Sequence, residues 1–129
     1  MSRRQVVWVE GLDHGEQPFP IATRLGNLLV TSGVHGRDRG TGMMPTRHEE
    51  QVANMFANIR AVLEAGGATV DDVAQVLVTL RDGELRPVMN RHWVEMFPDP
   101  DDRPVRNTQF RSLGGGMACS AIVTAVMPG

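Results

Sequence analysis

The segment HEEQVANMFANIRAVLEAGGATVDDVAQVLVTL, residues 48–80, decides the architecture. Val52, Met55, Phe56, Ile59, Val62 and Leu63 recur at helical spacing and draw one apolar stripe. The spacing predicts a helix over 48–65. Thr46 with Glu49 three residues on has the capping-box pattern, and Gly66-Gly67 ends the helix. A short capped turn over Thr69–Asp72 leads into Val73–Leu80, whose branched residues predict a strand. The carboxylate pairs Glu49-Glu50 and Asp71-Asp72 open these elements, where they complement the backbone dipole without any catalytic role.

Upstream, Val6–Glu10 reads as a first strand, Gly15–Pro20 as a loop, and Leu28–Val34 as a buried strand after the Gly26-Asn27 turn. A further strand fits near Ile21–Arg24, and Gly33 marks a close backbone approach. Gly36–Pro45 is a glycine-rich surface loop. Downstream of the Asp82-Gly83 turn, Leu85–Phe97 reads as a second helix with Pro87 in its first turn. Pro98–Pro104 is an acidic loop, and Asn107–Arg111 and Ala118–Val126 are strands flanking Gly114-Gly115-Gly116. The order β-β-α-β-α-β-β, with that extra strand, predicts an α+β domain in which two helices cover one face of a mixed sheet. The other face is left bare, which on a small domain points to self-association.

The chain has 129 residues, the size of a single domain spanning 1–129, and can bury roughly two-thirds of its unfolded surface. Hydrophobic residues make up 41% and charged residues 22%, which excludes the disordered class. One cysteine, Cys119, rules out an internal disulfide framework and a multi-cysteine metal site; with eight methionines it fits a reducing cytoplasm. No apolar run is long enough for a signal peptide core or a membrane span. A net charge of −2, with no tyrosine, four phenylalanines and two tryptophans, argues against nucleic acid as partner.

Among chemistry-bearing residues, His14, His35, His48 and His92 are scattered and show no metal-ligand spacing. The Gly114-Gly115-Gly116 run lacks the strand-glycine-helix context and the Lys-Ser/Thr of a phosphate loop. Cys119 has no thiolate-stabilising neighbour in sequence and reads as structural. Arg106 stands at the start of an apparent strand, where a guanidinium aimed into a cleft is a bidentate clamp for a carboxylate.

The succession Leu25-Gly26-Asn27, Thr31-Ser32-Gly33, Glu50-Gln51, Leu63-Glu64-Ala65-Gly66-Gly67, Asp71-Asp72-Val73, Met89-Asn90 and Pro104-Val105-Arg106 resembles the Rid family, also called YjgF or L-PSP, from about Pro18 to Val126. The resemblance implies a chorismate-mutase-like fold and a homotrimer with three clefts between subunits. It also implies cofactor-independent deamination of small imine or enamine carboxylates. Carried over by position, Arg106 matches the carboxylate-binding arginine, and Asn90 the asparagine of the second helix. Gly33 and Val34 match the loop whose backbone contacts substrate, and Thr108 matches a pocket-lining position. Three departures stand out: Phe19 replaces a tyrosine, Val34 a glutamine, and Ile122 the last-strand glutamate that orients water. Ser120 is the same-face neighbour of Ile122. His35, close to the pocket loop, is the candidate acid or base, with a solvated loop histidine as the alternative. Three functions stay open: a Rid-like deaminase, a non-catalytic carboxylate-binding module of the same fold, and the ribonuclease or translation-inhibitor role often attached to the family. The last is disfavoured by charge and composition.

Overall fold

A computed structural model describes residues 2–129. Strands β1 (Arg4–Val7), β2 (Ala22–Leu25), β3 (Leu28–Thr31) and β4 (Val34–His35) precede helix α1 (His48–Ala65). Then come β5 (Val73–Leu80), helix α2 (Arg86–Met96), β6 (Val105–Phe110) and β7 (Cys119–Val126). The sheet runs β1-β2-β3-β7-β5-β6, with β4 also on β7. Only β5 and β6 are parallel, joined by α2 as the crossover. The α+β expectation therefore holds, and both helices cover one face.

Alternation along the strands separates the two faces. Val76, Val78 and Leu80 of β5 and Cys119, Ala121, Val123 and Ala125 of β7 are buried against the helices. Their stripe partners Val52, Met55, Phe56, Ile59, Val62 and Leu63 are buried as read from the helical spacing. The opposite face carries exposed apolar side chains. Val6, Val30 and Val105 lie in one row with Thr23, Thr124 and Gln75, and Ile122 lies beside Leu77 and Asn107.

Several expected boundaries shift, each for a local reason. β1 is Arg4–Val7 rather than Val6–Glu10, because its ladder with β2 ends at Val7 and the chain turns at Val9–Leu12. β6 begins at Val105, two residues early, so Arg106 lies within the strand. The single strand expected over Leu28–Val34 is broken. Between the pairs Val30/Thr124 and Val34/Ala121, three residues of one strand face two of the other. This is a β-bulge, and it sets Ser32 and Gly33 opposite Ile122. The Thr46 capping box is absent: Arg47 stands at the helix boundary with no side-chain cap bond. The equivalent box at Thr69–Asp72 does form.

What secures the first turn of α1 is instead a buried amide. Gln51 Nε2 donates to the carbonyls of Pro45 (2.8 Å) and Gly116 (2.9 Å), and Oε1 accepts from the Ala118 N–H (2.7 Å). Further along the same helix, Asn54 donates to Gly36 O, and Asn58 to His35 O and Arg37 O. At i, i+3 and i+7 these amides share one face and pin the segment after β4 to the helix. A Cβ on Gly36 would collide with the Gln51 backbone carbonyl, so glycine is required where this segment crosses α1.

Burial also takes in the His35 ring. It is 7% exposed, its Nδ1 has no partner, and its pKa is lowered to about 4, first by burial and then by Arg37 and His14, with Asp13 opposing. The solvated loop histidine expected as the alternative is thus replaced by a buried neutral one.

Two tests follow from these buried polar groups. Gln51→Leu strands two carbonyls and an N–H, each costing about 1–3 kcal/mol; urea unfolding should show a loss of about 3 kcal/mol or more with an unchanged m-value. For His35, the unfolded chain takes up a proton near pH 6.5 while the folded chain stays neutral to about pH 4. Stability should therefore fall as pH drops through this window, by on the order of 3 kcal/mol in all. His35→Leu should flatten that slope, and an unaltered slope would show that the ring is not held neutral.

Candidate functional site

Arg106 is packed as a clamp. Its partners in register, Val76 on β5 and through it Val123 on β7, face the helices, so its side chain lies on the helix face at the outer edge of the sheet. Nε donates to Thr108 Oγ1 (3.0 Å) and Nη2 to Asn90 Oδ1 on α2 (2.7 Å). The guanidinium stands 5.0 Å from the centroid of the Trp93 ring, a cation–π contact. Nη1 is buried and has no partner. Burial, then Arg86, lowers the Arg106 pKa, yet a guanidinium stays charged at neutral pH. No carboxylate pairs with it among the described residues.

Ile122 and Ser120 lie on the other face. Ile122 pairs with Leu77, and Leu77 with Asn107, all with side chains away from the helices. Gly33 sits against Ser120: a Cβ built on it would lie 2.9 Å from Ser120 Oγ. Val34 turns its side chain into the core and the whole residue is fully buried, so the ligand contact expected of its backbone has no exposed surface to act through within one chain. Phe19 is 42% exposed and packs on His14, ring centroids 4.9 Å apart.

The residues singled out in sequence thus form two clusters. Arg106, Asn90 and Thr108 are brought together at the β6 edge. Phe19, Gly33, Ser120 and Ile122 belong to the open-face side. Within one chain the sheet stands between Arg106 and Ile122, so no single cleft holds all of them.

The histidines are less scattered than their spacing suggests. His14 and His35 meet edge to face at 6.0 Å and line a cavity of about 300 Å³ with Asp13, Arg37, Met44 and Met117. Nε2 of His14 is 2.7 Å from Ser32 Oγ. His92 instead stacks on Phe56 and contacts Glu95. No group of three or more His, Cys, Asp or Glu side chains suited to a metal ion occurs among the described residues. Cys119 is buried and its thiol pKa is pushed up to about 12 by burial, so it is no nucleophile at neutral pH. No described helix is long and apolar enough to cross a membrane.

Sequence reasoning gave no role to His14 or to the α1 amides, Gln51 entering only as part of the family succession. The amides had a signal: Gln51, Asn54 and Asn58 recur at helical spacing beside the apolar stripe. His14 had none, because its partner Ser32 is 18 residues away across a loop.

Comparison with known proteins agrees with this architecture. The sequence profile described as Endoribonuclease L-PSP matches residues 14–114. The chain is 36% identical over 94 residues, 70% of each chain, to a 2-iminobutanoate/2-iminopropanoate deaminase of Dermatophagoides farinae. It is 30% identical over 104 residues, 80% of each chain, to a RutC family protein of Pyrococcus abyssi. Among solved structures, RidA from a Psychrobacter species superposes with a TM-score of 0.85 at 25% identity, covering 95% of this chain and 99% of that one. The profile spans most of the chain and the fold agrees from end to end: this protein belongs to the L-PSP, or Rid, family.

Proposed function

We propose that the protein is a deaminase that hydrolyses small imine or enamine carboxylates in a cleft assembled between copies of the chain. The observation that carries this reading is Arg106. Its guanidinium is held at two corners by Asn90 and Thr108 and laid against Trp93, while Nη1 is buried and unspent. A part-buried cation with no counter-ion and one unpartnered buried N–H group is unsatisfied, and a planar carboxylate supplies the missing charge and acceptors. The deaminase name of the Dermatophagoides relative supports this substrate class.

The second half of the site comes from another copy. Gly33, part-exposed, offers its backbone on the open-face side, with Phe19 and Ile122 as apolar walls. The exposed row of Val6, Val30 and Val105, with Leu77 and Ile122 beside it, is the surface such an assembly would bury. A homotrimer fits the family resemblance. The reaction adds water across C=N and expels ammonia, which requires no cofactor. The second reading, a carboxylate-binding module without catalysis, is favoured by Phe19 and Ile122, neither of which moves a proton.

Light scattering after size exclusion should give about three times 14.1 kDa. Leu77→Glu, placing a charge on the open face, should disperse the assembly; a wild-type monomer at micromolar concentration would remove the cleft. For the clamp, calorimetric titration with 2-oxobutanoate, the keto counterpart of the imine, should show Arg106→Ala weakening binding at least about ten-fold. Arg106→Lys should recover little of it, since an ammonium has no planar fork. Equal affinity in an assembled Arg106→Ala protein would refute the assignment.

A further inference from the structure

Hydrolysis of an imine needs a group that takes a proton from water and returns it to nitrogen. On the open-face side Phe19 and Ile122 have no ionisable group, and Ser120 has only a hydroxyl. His35 is buried, and its pKa of about 4 leaves it too weak a base. His14 is different. It is part-buried, packs on Phe19, and lines the 300 Å³ cavity. It is also tied to Ser32, a residue of the bulge that faces Ile122 across the ladder.

The hydrogen bonds around Ser32 set the state of the ring. Ser32 Oγ lies 3.1 Å from Ile21 O and 3.2 Å from Pro20 O, and both carbonyls can only accept. With the one hydroxyl hydrogen directed at these carbonyls, Oγ accepts from His14, which assigns the tautomer in which Nε2 carries the ring proton. Nδ1 is then the basic nitrogen, and it has no hydrogen-bond partner among the described residues. An imidazole fixed through one nitrogen and free at the other is the arrangement a general base requires.

We propose that His14, oriented by Ser32 across from Ile122, is the acid–base residue of the cleft, with Nδ1 as its working atom. This rests on the deaminase reading. Water oxygen bonds to the imine carbon as the C=N electron pair moves to nitrogen. Nδ1 takes a proton from that water and passes it to the nitrogen, giving a carbinolamine. Nδ1 then takes the hydroxyl proton and delivers it to the amino group. The C–N bond breaks, ammonia leaves and C=O forms. Imine and water become ketone and ammonia, and the ring ends neutral.

The charged and titratable groups facing His14 are Asp13, Arg37 and His35. Its pKa is lowered from 6.5, first by burial, with Asp13 opposing and Arg37 adding. The ring is therefore neutral, and competent as a base, at physiological pH.

The test uses the whole protein with 2-iminobutanoate generated by an amino-acid oxidase and trapped with semicarbazide. His14→Gln should cut kcat by about 100-fold or more with KM within about threefold. The wild-type kcat/KM should fall on the acid side below about pH 6.5, and this limb should vanish in the variant. Added 4-methylimidazole should restore part of the rate to His14→Gly. Ser32→Ala, which frees the ring but leaves Nδ1 in place, should lower kcat by a smaller factor and serves if His14 variants fold poorly. Wild-type kcat with an unchanged pH profile in folded, assembled His14→Gln would overturn the proposal while leaving the deaminase reading intact. So would a Ser32→Ala protein indistinguishable from wild type. A wild type that binds 2-oxobutanoate through Arg106 but never turns over the imine would overturn both.

Discussion

The structure depends on three side-chain amides along one face of α1. Gln51, Asn54 and Asn58 do not extend the apolar stripe; they satisfy the backbone of segments that would otherwise be irregular and unpaired. A buried loop is tolerable only when its carbonyls and N–H groups find partners. Here the helix supplies them, so the chain leaving β4 can pass under cover with His35 enclosed. The same amide of Gln51 ties the start of β7, through Ala118, to the start of α1. The position of the bulge opposite Ile122 is thus secured from the helix side of the sheet.

The sheet is also a partition. Because side chains alternate, a one-residue step along β6 or β7 moves a group from the core to the open face. Arg106 and Ile122 differ by such parity and end on opposite faces, although their strands flank β5 in the same sheet. A single copy therefore offers an oriented guanidinium at an edge and an apolar face with a bulge, and neither alone encloses a small molecule. In the proposed assembly this separation would become a cleft, with the edge of one copy meeting the open face of another. The exposed valines, Leu77 and Ile122 on that face would give such an association its driving force, through loss of apolar surface from water.

The two ring systems near the bulge show how burial sorts similar groups. His35, enclosed and near Arg37, loses its basicity, whereas His14, part-exposed and next to Asp13, keeps it closer to the ordinary range. Twenty-one positions apart in the chain, they are neighbours only because the loop carrying His14 folds back onto Ser32.

Periodicity was enough for much of the fold. The stripe from Val52 to Leu63, the branched run of β5 and the alternation of β7 are local patterns whose burial follows from geometry at fixed spacing. The family resemblance marked Arg106, Asn90 and Thr108, and these do converge. The bulge, the absent Thr46 cap, the meeting of His14 with His35 and the face on which each site residue lies were not legible. Helical and strand periods are properties of consecutive residues, so they can be read along the chain. Register, by contrast, depends on which residue of β7 stands opposite which residue of β3 and β4. That choice is made by packing between segments some ninety residues apart, and only the tertiary structure contains it.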